Sequence, residues 1–365
     1  MMIVSKQHQI FFDFLRFSIG PKSEIPSSLK EADWKELYAI AKKQCLVGVL
    51  FDGIKKLPAE HVGMEKELLL QWMAESQMLE KANVRLNDAA ILVSEWFRKK
   101  GFRTCILKGQ GNALLYPNPY SRTPGDIDIW VEGGDKRVIS FVRSISPHEK
   151  ACYHHIEFPS YKGVEVEVHY RPSFLLCFWH NRKLQKYYER VKEEQFSHRV
   201  MLGEQGEIAI PTVEFNLIFQ LTHIYAHLMN EGIGLRQLLD YYYLISMLSV
   251  NCEMLTSLQK ELKELGLWKF AGAIMYIMQE VFGMPASRLI VPPNEKYGKF
   301  VLNEVLEAGN FGKHDERIRF GRSQLGHNLQ RVYRDMRLMK YFPAEAMSEP
   351  FFRVWHFFWR MKNKK

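Results

Sequence analysis

The sequence predicts an α+β protein in which a small mixed α/β core lies between two helical segments. Three observations lead to this prediction. Apolar residues recur at helical spacing through the first hundred residues and again after Thr212, whereas short β-branched and aromatic runs separated by Gly and Pro fill the part between them. We therefore expect an N-terminal helical region over residues 1–84, the α/β core over 85–205, and a C-terminal helical domain over 206–365.

The composition is that of an ordinary globular protein. Of the 365 residues, 47% are hydrophobic and 25% are charged, so the chain can form two or three domains with buried cores. The sequence has no apolar run near the roughly 18 residues that span a bilayer, and its N-terminus lacks the apolar stretch of a signal peptide. The 5 scattered cysteines form no CxxC pair, which argues against a disulfide framework or structural zinc and favours a cytoplasmic protein.

Helical periodicity and end signals locate the flanking helices. In the N-terminal region they predict Gln9–Ser18, Leu29–Lys43 and Met64–Lys100, the last ended by Gly101. In the C-terminal domain Thr212 is a predicted N-cap. The helices predicted there are Val213–Asn230, Leu235–Leu248 after a break at Gly232 and Gly234, further helices within Leu255–Phe282, and the basic C-terminal stretch.

The core is predicted from strand-like runs that end at turn residues. Its predicted elements are the strand Thr104–Leu107, the helix Asn112–Tyr116, the strand Asp126–Val131, a helix capped by Asp135 that extends to about Ser144, and a hairpin of His154–Phe158 with Val164–Tyr170. The strands are short and few, so we expect a small sheet with helices packed against it.

Two aspartates on the second strand are the most informative feature of the chain. Side chains alternate faces along a strand, so Asp126 and Asp128 point the same way while Ile127 and Ile129 point into the core. Two carboxylates side by side repel each other unless a cation lies between them. Because hard cations such as Mg²⁺ prefer carboxylate oxygens, the pair predicts a divalent metal site.

Two further features point to the same place. Lys108-Gly109 follows the first strand, where the glycine lets the backbone approach a phosphate and the ammonium can meet its charge. Glu165, Glu167 and His169 share one face of the last strand, and an adjacent strand would bring one of the glutamates beside the aspartates. Three carboxylates around two magnesium ions can support in-line attack of a hydroxyl on a nucleoside triphosphate.

These motifs resemble those of a known enzyme superfamily. The segments concerned are Leu107-Lys108-Gly109, Leu115-Tyr116-Pro117, Arg122–Asp128, Glu167–Tyr170, the pair His223 and His227, and Arg236 with Asp240 in an LRxxxD pattern. They resemble the DNA polymerase β-like nucleotidyltransferases, and more narrowly the uncharacterised bacterial nucleotidyltransferase family, whose members often accompany surface-polysaccharide genes. The resemblance covers roughly residues 85–245 and implies a polymerase-β-like core.

The resemblance also implies roles for these residues. Asp126, Asp128 and Glu167 would hold two Mg²⁺ ions, with Mn²⁺ as an alternative, and Glu167 would act as metal ligand or as base for the acceptor hydroxyl. Glu165 is the alternative third carboxylate. The residues implied to hold the triphosphate are Lys108, Gly109, Arg122 and Gly125. The Gly-Ser turn usual in the superfamily is Lys108-Gly109 in this chain, without the serine.

Several side chains near the motif have two interpretations. His169 either hydrogen-bonds a carboxylate or is an ordinary core histidine. For His223 and His227, at i and i+4, a structural role or a contact next to the site is favoured over zinc binding. Arg236 and Asp240 are most simply an i,i+4 ion pair, with a substrate-facing Arg236 as the alternative.

The expected function is a magnesium-dependent nucleotidyltransferase that moves a nucleoside monophosphate from an NTP to an unknown small-molecule or glycan acceptor. The alternatives are an RNA-modifying transferase of toxin–antitoxin type, motivated by the basic residues after Lys313, and a non-catalytic nucleotide-binding protein, motivated by the missing serine. The aromatic and basic tail Phe351–Arg360 is expected to pack on the helical domain, with peripheral membrane contact as the alternative.

Overall fold

The computed structural model describes residues 4–21, 24–58, 63–204, 206–248, 252–315 and 324–363. Its helices are α1 (Lys6–Ile19), α2 (Trp34–Lys43), α3 (Val47–Lys56), α4 (Lys66–Lys99), α5 (Gln110–Ala113), α6 (Gly134–Ile145), α7 (Phe178–Ser197), α8 (Val213–Asn230), α9 (Leu235–Ser246), α10 (Cys252–Glu264), α11 (Trp268–Glu280), α12 (Glu295–Ala308), α13 (Gln324–Met339) and α14 (Pro343–Lys362). Its strands are β1 (Thr104–Ile106), β2 (Ile127–Val131), β3 (His155–Tyr161), β4 (Val164–His169), β5 (Arg199–Met201) and β6 (Glu207–Ala209). The predicted α+β class, with a small mixed sheet between helical segments, is confirmed.

The central sheet has the strand order β1-β2-β4-β3. Strands β2 and β4 are parallel, whereas the outer pairs β1–β2 and β3–β4 are antiparallel. Ile127 and Ile129 point into the core as expected, and both side chains are buried. The parallel register places Asp128 directly opposite Glu167 on the neighbouring strand. The sheet therefore brings together acids that lie far apart in the sequence.

Helix α4 connects the N-terminal region to the sheet. Trp72, in its first half, is fully buried in a core shared with α1, α2 and α3, and its indole donates a hydrogen bond to the Val47 carbonyl at 2.9 Å. Phe97, in its second half, is buried with the residues of the sheet. The helix runs without interruption through residues 84 and 85, where the sequence analysis places a domain boundary.

The N-terminal helices differ from the prediction in two ways. The predicted helix Leu29–Lys43 is a 3₁₀ turn over Ser27–Glu31 followed by α2. Asp33 separates the two because its carboxylate accepts hydrogen bonds from the first backbone N–H groups of α2, which favours a new helix start. Helix α3 was not predicted. Of its 10 residues, 7 are buried, and it follows α2 after only three residues.

The α/β core also differs from the prediction in four ways. Strand β2 begins at Ile127, so Asp126 precedes the strand. The N-cap of α6 is Gly133 rather than Asp135, whose carboxylate instead lies 3.0 Å from the Arg171 guanidinium. Helix α7 and the β5–β6 hairpin were not predicted. The helices predicted within Leu255–Phe282 are confirmed as α10, which begins three residues earlier at Cys252, and α11, and the two are separated at Gly266, where φ is +71°.

The C-terminal helix α14 packs on the molecule through one side. Phe352 is buried against Phe174, with ring centroids 5.1 Å apart, and the His356 ring accepts a hydrogen bond from the Tyr153 backbone N–H at 3.1 Å. These partners precede or follow the β3–β4 hairpin, so the tail docks on the α/β core. It also contacts the helical domain, because Arg353 lies 3.9 Å from Asp335 on α13. The opposite side of α14 exposes Phe351, Val354, Phe357, Phe358 and Met361. Membrane contact through this exposed side stays a prediction.

The described part of the chain contains no helix that is both long enough and apolar enough to cross a bilayer. Residues 316–323 and 364–365 of the basic C-terminal stretch lie outside the described residues.

Candidate active site

Three carboxylates meet where β2 and β4 run side by side. Asp126, Asp128 and Glu167 each offer an oxygen, and these oxygens lie within 4.8 Å of one another. Asp126 stands just before β2, Asp128 is its second residue, and Glu167 lies opposite Asp128 on β4. Glu165, the alternative third acid, is exposed and is not part of this group. The structure thus brings Glu167 to the aspartates.

Two cationic side chains, Lys108 and His169, compensate the negative charge of this cluster. The Lys108 ammonium lies 3.1 Å from Asp128 Oδ2. His169 Nε2 lies 2.9 Å from Asp128 Oδ1 and 3.3 Å from Glu167 Oε2. His169 is therefore a carboxylate-binding histidine, the first of the two interpretations that the sequence left open.

The charges in the cluster reinforce one another. Burial, the largest cause, opposes ionisation of Glu167, but the hydrogen bond with His169 and the charges of His155 and His169 together outweigh it and lower the pKa of Glu167 to about 2. Burial likewise opposes the imidazolium, yet its bonds to Asp128 and Glu167 raise the pKa of His169 to about 9. For Lys108 too, burial is outweighed by the nearby carboxylates, which raise its pKa. At neutral pH Glu167 is ionised, and His169 and Lys108 are protonated.

The cluster fits a divalent cation on chemical grounds. Its donors are carboxylate oxygens, the ligands that Mg²⁺ and Mn²⁺ prefer. Asp128 Oδ2 is buried and has no hydrogen-bond partner among the described residues, although the Lys108 ammonium lies 3.1 Å away as an ion pair. An unsatisfied lone pair in a buried site is costly unless a ligand uses it. Asp126, Asp128 and Glu167 would be the metal ligands.

The turn after β1 brings backbone close to these acids. Gly109 has φ +62°, a conformation that favours glycine. A Cβ atom at this position would lie 3.6 Å from the Asp126 carbonyl oxygen, so the turn passes directly beside the start of β2. The side chain of Lys108 extends from the same turn, and its Nζ lies 3.2 Å from His223 Nε2.

The histidine pair on α8 extends a series of side-chain contacts that begins at Lys108. His223 Nε2 lies 3.0 Å from His227 Nε2, and His227 Nδ1 lies 3.4 Å from Glu231 Oε2. Burial, followed by the charge of Lys108, holds the pKa of His223 well below its usual value. Among the described residues, neither histidine belongs to a group of three metal-binding side chains. Their contacts support the predicted role next to the site.

Arg122 and Asp240 form a buried ion pair that corrects the prediction for Asp240. Arg122 Nε and Nη2 donate to the two oxygens of Asp240, each at 2.8 Å. Tyr116 and Asn112 donate to the same carboxylate at 2.6 and 3.2 Å. Asp240 therefore pairs across 118 residues with Arg122, not with Arg236 one turn away. Triphosphate binding by Arg122 stays a prediction, with most of its guanidinium engaged by Asp240.

Because Asp240 pairs with Arg122, Arg236 does not form the expected ion pair with Asp240. Its side chain is buried and forms no ion pair with any residue that the structure describes. Its Nη1 donates to the Thr123 carbonyl at 3.1 Å, and its Nε has no partner. A Cβ atom on Gly125 would lie 3.6 Å from Nη1. A buried guanidinium beside a glycine can accommodate an anion, which supports the substrate-facing interpretation of Arg236.

Two recesses meet at the carboxylates. A narrow cleft of ≈ 30 Å³ is lined by Lys108, Gly109, Asp126, Asp128 and Arg236 among others. A larger cavity of ≈ 720 Å³ is lined by Asp126, Glu167 and His169 and continues to α13 and α14. The two share Lys108, Asp126, His223 and Phe311 and are otherwise lined by different residues.

Sequence reasoning missed two groups of residues. Tyr116 was placed at the end of a predicted helix without a role, although Leu115-Tyr116-Pro117 is one of the segments that carry the family resemblance. The contribution of α13 and α14 to the cavity, through Arg331, His356 and Arg360, had no signal beyond the basic and aromatic composition of the tail.

Comparison with known proteins places the chain in a family. The model of the uncharacterised nucleotidyltransferase family matches residues 30–283, more than half of the chain. Among solved structures, the chain is similar to an antigenic nucleotidyltransferase-like protein from Paracoccidioides brasiliensis, with 14% sequence identity and a TM-score of 0.33. That match covers 58% of this chain and 95% of the other, and at so low a TM-score it carries no argument. No curated protein matches the chain.

Proposed function

Because the chain belongs to the uncharacterised nucleotidyltransferase family, we propose that it is a magnesium-dependent enzyme that moves a nucleoside monophosphate from an NTP to an acceptor. The observation that carries the proposal is the cluster of Asp126, Asp128 and Glu167, with oxygens within 4.8 Å of one another. The buried Oδ2 of Asp128 adds to it, because among the described residues this oxygen has the Lys108 ammonium beside it but no hydrogen-bond partner, whereas most buried carboxylate oxygens are hydrogen-bonded.

The bound cations would supply one part of the chemistry, the neutralisation of charge on the reacting phosphates. The residues of the protein would hold the phosphates and the metal ligands in position. Lys108 and Arg236 line the cleft next to the carboxylates, so both would hold phosphate oxygens of the NTP. Gly109 and Gly125 leave room for those phosphates because neither carries a side chain. His169, held by two of the acids, would keep Asp128 and Glu167 ionised and oriented.

The proposal can be tested by measuring Mg²⁺-dependent NTP binding and pyrophosphate release for the wild type, Asp128→Asn and Glu165→Gln. We expect Asp128→Asn to abolish both metal dependence and pyrophosphate release. Glu165→Gln, which changes an exposed acid outside the cluster, should behave like the wild type. The proposal would be contradicted if NTP binding by the wild type did not depend on Mg²⁺, or if Asp128→Asn bound NTP with the same Mg²⁺ dependence as the wild type.

The same experiment separates the two alternative functions. A non-catalytic nucleotide-binding protein would bind Mg²⁺ and NTP in the wild type but release no pyrophosphate with any NTP or acceptor extract. An RNA-modifying enzyme would transfer label from an NTP to RNA, and its RNA affinity would fall steeply with salt. The basic residues of α13 and α14 motivate the second alternative.

A further inference from the structure

The far side of the large cavity is formed by a part of the chain that lies beyond the family match. Lys313, Arg331 and Arg360 line the cavity there, and we call these three residues the basic wall. They follow residue 283, where the match to the family ends. We propose that the cavity binds the acceptor and that the acceptor is a small molecule with a phosphate group, which the basic wall binds. This inference rests on the proposed function.

The charges along the cavity support an anionic ligand. Its two other acids are occupied, because Glu349 binds Arg353 and Glu231 contacts His227. Lys313, Arg331 and Arg360 are exposed, and within the described ranges none of the three has an ion-pair partner. Arginine presents a fork of N–H donors that matches phosphate oxygens. The positive charge on this side is therefore available to a ligand.

The neighbouring histidines do not add to this charge. Burial, the largest cause, lowers the pKa of His356 to about 4. The pKa of His154, which also lines the cavity, is likewise held well below its usual value by burial. These rings are neutral at physiological pH and can offer hydrogen bonds to a ligand. The basic wall is thus the cationic part of this side of the cavity.

The size and the shape of the cavity favour a small molecule over a nucleic acid. Its ≈ 720 Å³ lies within the roughly 300–1,000 Å³ that small-molecule pockets occupy. Tyr153, Phe174 and Phe352 form an aromatic part of the lining, with the latter two rings stacked 13° from parallel. A ligand with one phosphate and one less polar face would use both parts of the lining.

The separation of the two recesses supports an acceptor in the cavity and contact of NTP phosphate oxygens with the cleft, whose ≈ 30 Å³ can receive only part of a phosphate group. In-line displacement requires the attacking and leaving oxygens on opposite sides of the reacting phosphorus. Lys108 and Arg236 line the cleft, which suits the departing pyrophosphate. The basic wall lines only the cavity, which reaches the same carboxylates from Glu167. A transferase with an anionic acceptor needs both cationic groups.

The test uses the full chain, with glucose 1-phosphate as the phosphate-bearing probe and glucose as its uncharged counterpart. Binding of each, and of Mg²⁺ with NTP, is measured by calorimetry for the wild type, for the double variant Arg331→Gln/Arg360→Gln, and for Lys362→Gln. Lys362 is an exposed cation on α14 that does not line the cavity, so it is the matched control.

We expect the wild type to prefer glucose 1-phosphate over glucose. The double variant should bind the phosphate probe at least roughly tenfold more weakly, the loss expected for a charged hydrogen bond, while Lys362→Gln and all NTP affinities stay unchanged. No preference in the wild type, or an unchanged affinity in the double variant, would overturn the inference. A parallel loss of NTP affinity in the double variant would assign the basic wall to the donor and also overturn it. Failure of the wild type to bind Mg²⁺ and NTP would instead overturn the proposed function.

Discussion

Asp128 and Asp240 are both buried carboxylates, 2% and 4% exposed, and both contact a cation of the protein. Their surroundings differ. Asp240 receives four hydrogen bonds, two from Arg122 and one each from Tyr116 and Asn112. Asp128 keeps one oxygen without a hydrogen-bond partner and has two further acids beside it. A buried carboxylate whose two oxygens both accept hydrogen bonds stabilises the fold. A buried carboxylate that has an oxygen without such a bond and lies among other acids is suited to bind a ligand.

The largest expected effect comes from breaking the ion pair between Arg122 and Asp240. Arg122→Met leaves Asp240 buried without its cation, so we expect the free energy of unfolding to fall by about 3–5 kcal/mol. Lys108→Met at the other cluster should cost clearly less, because His169 still compensates Asp128. Urea unfolding of both variants measures the difference. Equal losses would show that the two carboxylates play the same role.

The next effect concerns activity. Glu167→Gln removes the third acid from the cluster, so pyrophosphate release should fall by roughly 10²–10³, the range seen when one charge-stabilising group is lost. Glu165→Gln should leave it unchanged, because this acid is exposed two residues away. A loss with Glu165→Gln and none with Glu167→Gln would reverse our assignment of the third carboxylate.

A smaller effect is expected from Arg236→Gln. The variant removes a cation that would bind the triphosphate, so NTP affinity should fall by roughly tenfold. Its free energy of unfolding should not fall, because Arg236 has no carboxylate partner to leave unpaired. Calorimetry and urea unfolding of the same sample give both values. A loss of stability without a loss of NTP affinity would place Arg236 with Arg122 as a structural residue.

The smallest effect tests a single hydrogen bond. Tyr116→Phe removes the hydroxyl that donates to Asp240 Oδ1 at 2.6 Å. The free energy of unfolding should therefore fall by about 1 kcal/mol, which thermal denaturation can measure. Tyr243→Phe is the control, because this ring packs on Tyr116 at 4.5 Å between centroids without a hydrogen bond to Asp240. If both variants lose the same stability, packing rather than the hydrogen bond accounts for the effect.

The carboxylate cluster could be predicted in part from the sequence. The two-residue spacing of Asp126 and Asp128 places both at the start of β2, and the resemblance favours Glu167 over Glu165. The sequence predicts only that an adjacent strand could bring in a glutamate, whereas the parallel pairing of β2 with β4 places Glu167 opposite Asp128.

The ion pair and the cavity could not be predicted, because their causes are distant in the chain. The i,i+4 spacing of Arg236 and Asp240 is the shortest pairing that the sequence offers, yet Arg122 reaches Asp240 from 118 residues away and brings two donors in fixed geometry. His356 similarly meets Tyr153 across 203 residues. Only the packed fold shows that α13 and α14 complete a cavity at the carboxylates.

The central claim, that the Asp128 cluster is a divalent cation site, is tested most directly by urea unfolding in the presence and absence of Mg²⁺. A cation that binds only the folded protein stabilises it, by about 2.7 kcal/mol at a concentration 100 times its Kd. We predict this gain for the wild type and for Glu165→Gln, and none for Asp128→Asn. No gain in the wild type, or an equal gain in Asp128→Asn, would contradict the claim.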